Sequence, residues 1–112
     1  MLSVILILFI CLSTAFAQSG GTIHGRVQDS SGAVIPEVTV TAIEQDTNVS
    51  RSTITDNSGL FVLPGLPVGT WDIRFSKASF EPQVRSGVLL QVNTNVEVDG
   101  TLAVAGSATK VT

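Results

Sequence analysis

The 112-residue chain has no Tyr, one Trp, one His and one Cys, and only 13% of its residues are charged. One His and one Cys cannot supply the ligand cluster of a zinc site. A nucleophile–His–carboxylate triad would have to use His24, and no cofactor is called for. The 6 Lys/Arg against 9 Asp/Glu give a net charge of -3, so there is no basic face for nucleic acid. No G-x-S-x-G elbow, phosphate loop or G-x-G-x-x-G is present. No window keeps a 3.6-residue apolar period, which excludes a helical class. The longest apolar run, residues 4–12, is too short to span a bilayer.

That run belongs to an N-terminal stretch of another kind. Among residues 1–17 only Ser3, Ser13 and Thr14 are polar. Small residues, Ala15 and Ala17, precede Gln18, so the stretch predicts a secretory signal peptide cut between Ala17 and Gln18. No Lys or Arg precedes the run. An uncleaved membrane anchor is the rival reading, and the shortness of the run disfavours it. Cys11 lies inside the run behind Ile10, whereas a lipoprotein signal needs a small residue there. Cleavage would leave 95 residues with no Cys and no disulfide, enough for one domain.

What is abundant is β-branched. The predicted mature part holds 14 Val, 11 Thr and 5 Ile, side chains that suit a pleated surface. Period-2 runs alternate with turn residues. Thr22–Gln28 places Ile23, Gly25 and Val27 on one face, with His24 and Arg26 on the other. Asp29-Ser30-Ser31-Gly32 is a turn, and Pro36 opens the run Glu37–Gln45. Ser50–Thr55 follows, with Ile54 as its main core candidate. Asp56-Asn57-Ser58-Gly59 turns into the short strand Leu60–Leu63. Residues 64–69 read as a loop, because Pro64 and Pro67 lack an N–H. Thr70–Ser76 puts Trp71, Ile73 and Phe75 on one face. Gln83–Val92 and Asn95–Val104 complete the set, and residues 105–112 read as a linker or the start of a further region. The pattern predicts an all-β, seven-stranded antiparallel β-sandwich over residues 22–104, after a short segment 18–21.

The candidate chemical residues have plainer explanations. His24 and Arg26 suit a solvated outer face, as do Glu97 and Asp99. Asp46, Asp56 and Asn57 fit turn chemistry better than a Ca²⁺ loop. Trp71 shares a face with Ile73 and Phe75, which makes it a core plug rather than a sugar platform. Asn48-Val49-Ser50 forms an N-glycosylation sequon.

Several landmarks occur together and in order: Gly25-Arg26-Val27, Asp29-x-x-Gly32, Ala33-Val34-Ile35-Pro36, Thr55-Asp56-x-x-Gly59-x-Phe61 and Pro67-x-Gly69-x-Trp71. This arrangement resembles the carboxypeptidase regulatory-like domain, a transthyretin (prealbumin)-like, Ig-like β-sandwich. It is most similar to the copy at the N-terminus of TonB-dependent outer-membrane transporters of the Oar-like type. The resemblance spans roughly residues 21–104 and marks Gly25, Pro36, Asp56, Gly59, Phe61, Pro67, Gly69, Trp71 and Phe80 as fold-defining. Trp71 stands where the family has Tyr, and Ser79-Phe80 where it has Gly-Phe, which puts the bend there in question. The resemblance implies a non-enzymatic exported module, on the periplasmic face of a bacterial outer membrane or secreted. Its partner would be a transporter plug or barrel, or another envelope protein, with membrane contact only through a fused barrel. The alternatives are a carbohydrate-binding module, which needs exposed aromatic rings, and a structural or adhesive surface domain, which would use a free sheet edge.

Overall fold

The computed structural model of the chain describes residues 20–105. The expected leader, its cut between Ala17 and Gln18, and residues 106–112 lie outside the described residues. Eight strands follow in order: β1 (Gly21–Asp29), β2 (Thr39–Glu44), β3 (Ser50–Ile54), β4 (Leu60–Leu66), β5 (Gly69–Ser76), β6 (Gln83–Leu90), β7 (Asn95–Glu97) and β8 (Gly100–Leu102). They form two sheets. One has the order β4-β1-β7, with β8 pairing β1 beyond the end of β7; the other is β3-β2-β5-β6.

The sandwich is as expected, but it has eight strands rather than seven, and it is not wholly antiparallel. The run Asn95–Val104 breaks into β7 and β8, both parallel to β1. The break has a local cause. The Val98 N–H donates to the His24 carbonyl at 2.8 Å. The next β1 donor, the Arg26 N–H, is taken at 2.9 Å by the Asp99 carboxylate instead of a backbone carbonyl. A side chain thus replaces one rung of the ladder, and regular pairing resumes at Gly100.

Period-2 alternation sorts the faces. Ile23 and Val27 of β1, Val40 and Ala42 of β2, and Trp71, Ile73 and Phe75 of β5 are all fully buried. Phe61 of β4 meets Phe75 across the gap between the sheets, edge to face, with ring centroids 5.7 Å apart. Burying a side chain of this size contributes about 1.5–3 kcal/mol, and with no Cys among the described residues such burial is the main cohesive term.

Two strand expectations change. Ile54 is 61% exposed, not core, while Thr55 beside it is 3% exposed. Ile54 pairs with Thr39, whose side chain faces out, so the inward position falls one residue later. The expected loop at residues 64–69 is strand as far as Leu66. There β1 advances from Gly21 to Ile23 while β4 moves back from Leu66 to Leu63, so the extra residue forms a bulge. Gly65 takes φ 66° within it. Proline is tolerated because β4 is an edge strand and Pro64 sits in the bulge.

Candidate functional site

All the marked residues but Phe80 gather into three close-packed joints, one inside the sheet of β1 and two where the chain passes from one sheet to the other. The first is at Gly25. A β-carbon there would overlap the Val98 carbonyl oxygen and approach the Phe61 ring. Glycine is needed because the Val98 carbonyl of the β7–β8 connection lies directly against this position of β1, not because of an unusual φ.

The second joint is a buried turn. Pro36 and Glu37 form the corner between Ile35 and Val38, with Glu37 at φ 61°. The Thr55 hydroxyl sits in the corner, donating to the Ile35 carbonyl at 2.8 Å and accepting the Val38 N–H at 2.9 Å. Lys77 Nζ donates to the Pro36 carbonyl at 2.7 Å, closing the corner from outside. Directly after Thr55, Asp56 shapes the β3–β4 turn: its carboxylate accepts the Ser58 and Leu60 N–H groups. Asp29 does the same for the Ser31 and Ala33 N–H groups. Asp29-Ser-Ser-Gly32 and Asp56-Asn-Ser-Gly59 are therefore the same turn used twice. Only the second is closely packed: Gly59 takes φ 75°, and a β-carbon there would lie 2.7 Å from the Val27 carbonyl oxygen. Phe61 then enters the core. The Ser31 hydroxyl first, then the Ser31 and Ala33 N–H groups, hold the Asp29 carboxyl below its ordinary range.

The third joint centres on Glu44, which the sequence did not single out. Its residue is only 4% exposed. One carboxylate oxygen accepts the Asp46 N–H at 3.0 Å, the Thr47 N–H at 2.9 Å and the Thr47 hydroxyl at 3.0 Å. The other accepts the Thr70 N–H at 3.3 Å. Burial, the largest single influence, pushes this carboxyl up, but the bonds from Thr47, Asp46 and Thr70 together hold it below its ordinary range. The carboxylate lies against Gly69, where a β-carbon would come within 2.7 Å of it. Gly69 in the Pro67-x-Gly69-x-Trp71 string is therefore matched to Glu44. Trp71 fills the adjoining core, and its indole N–H donates to the Pro67 carbonyl at 3.0 Å. The only sequence signal for Glu44 was a carboxylate on the apolar face of an alternating strand.

Phe80 is half-buried and packs against the core edge. Ser79 takes φ 75°, so the chain bends just before Phe80 through a serine in the left-handed region.

The outer face of β1 carries a polar cleft. It measures about 340 Å³ and is bordered by His24, Arg26, Gln28, Leu60, Glu97 and Asp99. Within the described residues no three His, Cys, Asp or Glu side chains are grouped to hold a metal ion.

Known proteins frame this geometry. A transporter from Myxococcus xanthus, the TonB-dependent transporter Oar, is 38% identical over 88 residues; the match covers 78% of this chain and 8% of the transporter. Catechol 1,2-dioxygenase from Acinetobacter radioresistens superposes with TM-score 0.63 at 13% identity, covering 86% of this chain and 55% of the enzyme. A Bacteroides uniformis protein described as a candidate carbohydrate-binding protein superposes with TM-score 0.60 at 18% identity, covering 73% of this chain and 40% of that protein. At such identities the structural matches show the fold alone: a transthyretin-like, Ig-like sandwich. The model of the carboxypeptidase regulatory-like domain matches residues 22–103, the stretch that holds all three joints. By that match and the transporter identity together, the chain belongs to the carboxypeptidase regulatory-like domain family.

Proposed function

We propose that the chain is an exported, non-enzymatic β-sandwich module that forms the N-terminal extension of a TonB-dependent outer-membrane transporter. In this reading residues 1–17 are removed on export, and the sandwich stands on the periplasmic face and acts by contact with a transporter plug or barrel. The observation that carries the reading is the 38% identity to a transporter of this class over most of the chain. The marked residues agree with it. Gly25, Gly59, Gly69 and Trp71 serve close packing, and Asp56 shapes a turn. None of them presents a reactive group to the cleft on β1. The dioxygenase likeness supports shared architecture only, because chemistry resides in sites and not in folds.

The carbohydrate-binding reading needs an exposed aromatic platform. Trp71 and Phe75 are fully buried, Phe61 is 3% exposed and Phe80 is half-buried. This favours the protein-contact reading.

The test is photocrosslinking in the native host. A photoreactive residue replaces exposed Val62 or Leu89 in the full gene product, and adducts are identified by mass spectrometry of envelope fractions. The expected result is a product beginning at Gln18 that is fused or crosslinked to an outer-membrane transporter. A product confined to the cytoplasm, or adducts only with glycan, would overturn the proposal.

A further inference from the structure

We propose that β3 is a self-pairing edge. Two copies of the chain join antiparallel through Ser50–Ile54, and their β3-β2-β5-β6 sheets merge into one eight-stranded sheet. The inference concerns this chain alone and does not depend on the transporter reading.

It begins with the direction of the backbone groups. The Thr55 N–H donates to the Val38 carbonyl, and the Glu44 N–H to the Val49 carbonyl. Even-numbered residues of β2 thus bond toward β3. On the other side, the Gln45 N–H donates to the Thr70 carbonyl, so odd-numbered positions bond toward β5. The register pairs Val40 with Thr53 and Ala42 with Arg51. Antiparallel ladders alternate, so Thr53 and Arg51 spend their main-chain groups on β2. Ser50, Ser52 and Ile54 point theirs away from the sheet. Another extended strand matches that spacing of donors and acceptors and can take the place of water along the edge.

The other edges are guarded. β4 carries Pro64 in a bulge. β6 is bulged between its pairings with Trp71 and Ile73, and Gly87 there takes φ 75°. β7 and β8 are three residues each and are separated by the Asp99 rung. β3 alone has unbroken register across all its residues, with no Pro, Gly or Lys. Bulges, prolines and interruptions are the usual protections of an edge. Their absence here coincides with Ile54, at 61% the most exposed large apolar residue among the described ones.

The occupant follows from self-complementarity. A two-fold axis through Ser52 sets Ser52 opposite its own copy and Ser50 opposite the partner's Ile54. All three are outward-pointing positions, so the ladder closes with paired hydrogen bonds at each. Arg51, the one charge on β3, falls opposite Thr53 rather than a second Arg51, which avoids like-charge contact. On the outer face Ile54 gains the partner's Ser50 beside its own Thr39. A two-fold interface of this kind uses one patch on both copies, so pairing ends at the dimer.

Among the described residues, one buried core from Ile23 to Leu102 joins the two sheets. The chain from Gln18 to Thr112 is therefore the unit to measure, by sedimentation velocity from roughly 10 µM to 1 mM. The expected result is a weak monomer–dimer equilibrium, as suits a small interface. Ser52→Pro removes one outward N–H at an edge position where proline can be accommodated, and should weaken the dimer at least about tenfold. Ile54→Lys should weaken it similarly by an independent route. Val62→Lys, on guarded β4, should leave it unchanged. Trp71 emission reports that each variant is folded. A monomer at every concentration overturns the inference, and so does a dimer indifferent to both β3 variants. Binding of an extended acidic peptide at β3 by a chain that never dimerises would also overturn it, assigning the edge to a strand of another protein.

Discussion

Thr55→Val should destabilise the domain far more than its small change of shape suggests. Valine fills the volume of threonine, so no cavity opens and hydrophobic burial is kept. What disappears is the hydroxyl that accepts the Val38 N–H and donates to the Ile35 carbonyl. Thr55 is 3% exposed, so water does not readily replace it. Each buried group left without a partner costs about 1–3 kcal/mol. Two such groups imply about 2–6 kcal/mol, a large part of the 5–15 kcal/mol typical of a small domain. Urea unfolding followed by Trp71 fluorescence measures this directly. With a slope of about 1–3 kcal/mol/M, the midpoint should fall by roughly 1 M or more without a change of slope. Thr55→Ser, which keeps the hydroxyl and loses a methyl, should cost only about 1 kcal/mol. Equal stability of Thr55→Val and the unmodified chain would refute the argument, because the corner at Pro36 would then be holding itself.

Gly25→Ala should cost at least about 1–3 kcal/mol in the same urea assay, because its β-carbon overlaps the Val98 carbonyl and forces β7 and β8 off β1; a variant of unchanged stability would show that this crossing is loose. Ser79→Gly should stabilise by up to about 1 kcal/mol, since it relieves a φ of 75° that serine seldom adopts; a loss of stability would mean that the serine side chain holds the bend. The acid limb of stability should depend on Glu44. Its carboxyl is held low in the folded state, so its contribution is full above the ordinary glutamate range and is lost as pH falls through the lowered folded value. Thermal unfolding followed from neutral to acid pH should be flat at first and then decline, and Glu44→Gln should reduce that decline; an unaltered acid limb in the variant would remove Glu44 as its cause. Iodide should fail to quench Trp71, which is fully buried; efficient quenching would place the ring at the surface.

The fold was legible because alternation and turn residues are local signals. Trp71, Ile73 and Phe75 share a face by spacing alone, and Asp56-Asn57-Ser58-Gly59 names its own turn. The misreadings arose where a distant neighbour decides. Ile54 reads as core until its pairing with Thr39 shows that face to be outward. Pro64 reads as a strand stop until β4 proves to be an edge with room for a bulge. The run Asn95–Val104 looks continuous because nothing near it reports that Asp99 will cap Arg26, 73 residues earlier. Glu44 was overlooked for a related reason: a buried carboxylate becomes intelligible only when the loop from Pro67 to Thr70 folds over it.

Glu44 also explains why the motif reads as it does. Gly69 and Trp71 could be taken for independent marks, one of a turn and one of a core. The structure makes them parts of a single joint. The carboxylate must reach the Thr70 N–H, so position 69 has no room for a side chain. With Thr70 fixed, the β4–β5 connection holds Pro67 where its carbonyl accepts the Trp71 indole N–H. A tyrosine at position 71 has no N–H at that place on the ring. Trp71, where the family resemblance implies a Tyr, therefore adds a tie to the loop as well as volume to the core. Trp71→Phe keeps most of the apolar contact and removes the tie. If the joint works as a unit, that substitution should loosen the Pro67–Thr70 connection and raise hydrogen exchange at the Asp46 and Thr47 amides, which share the Glu44 carboxylate. Faster exchange confined to the core beneath Trp71, with those amides unchanged, would show instead that the ring acts by packing alone.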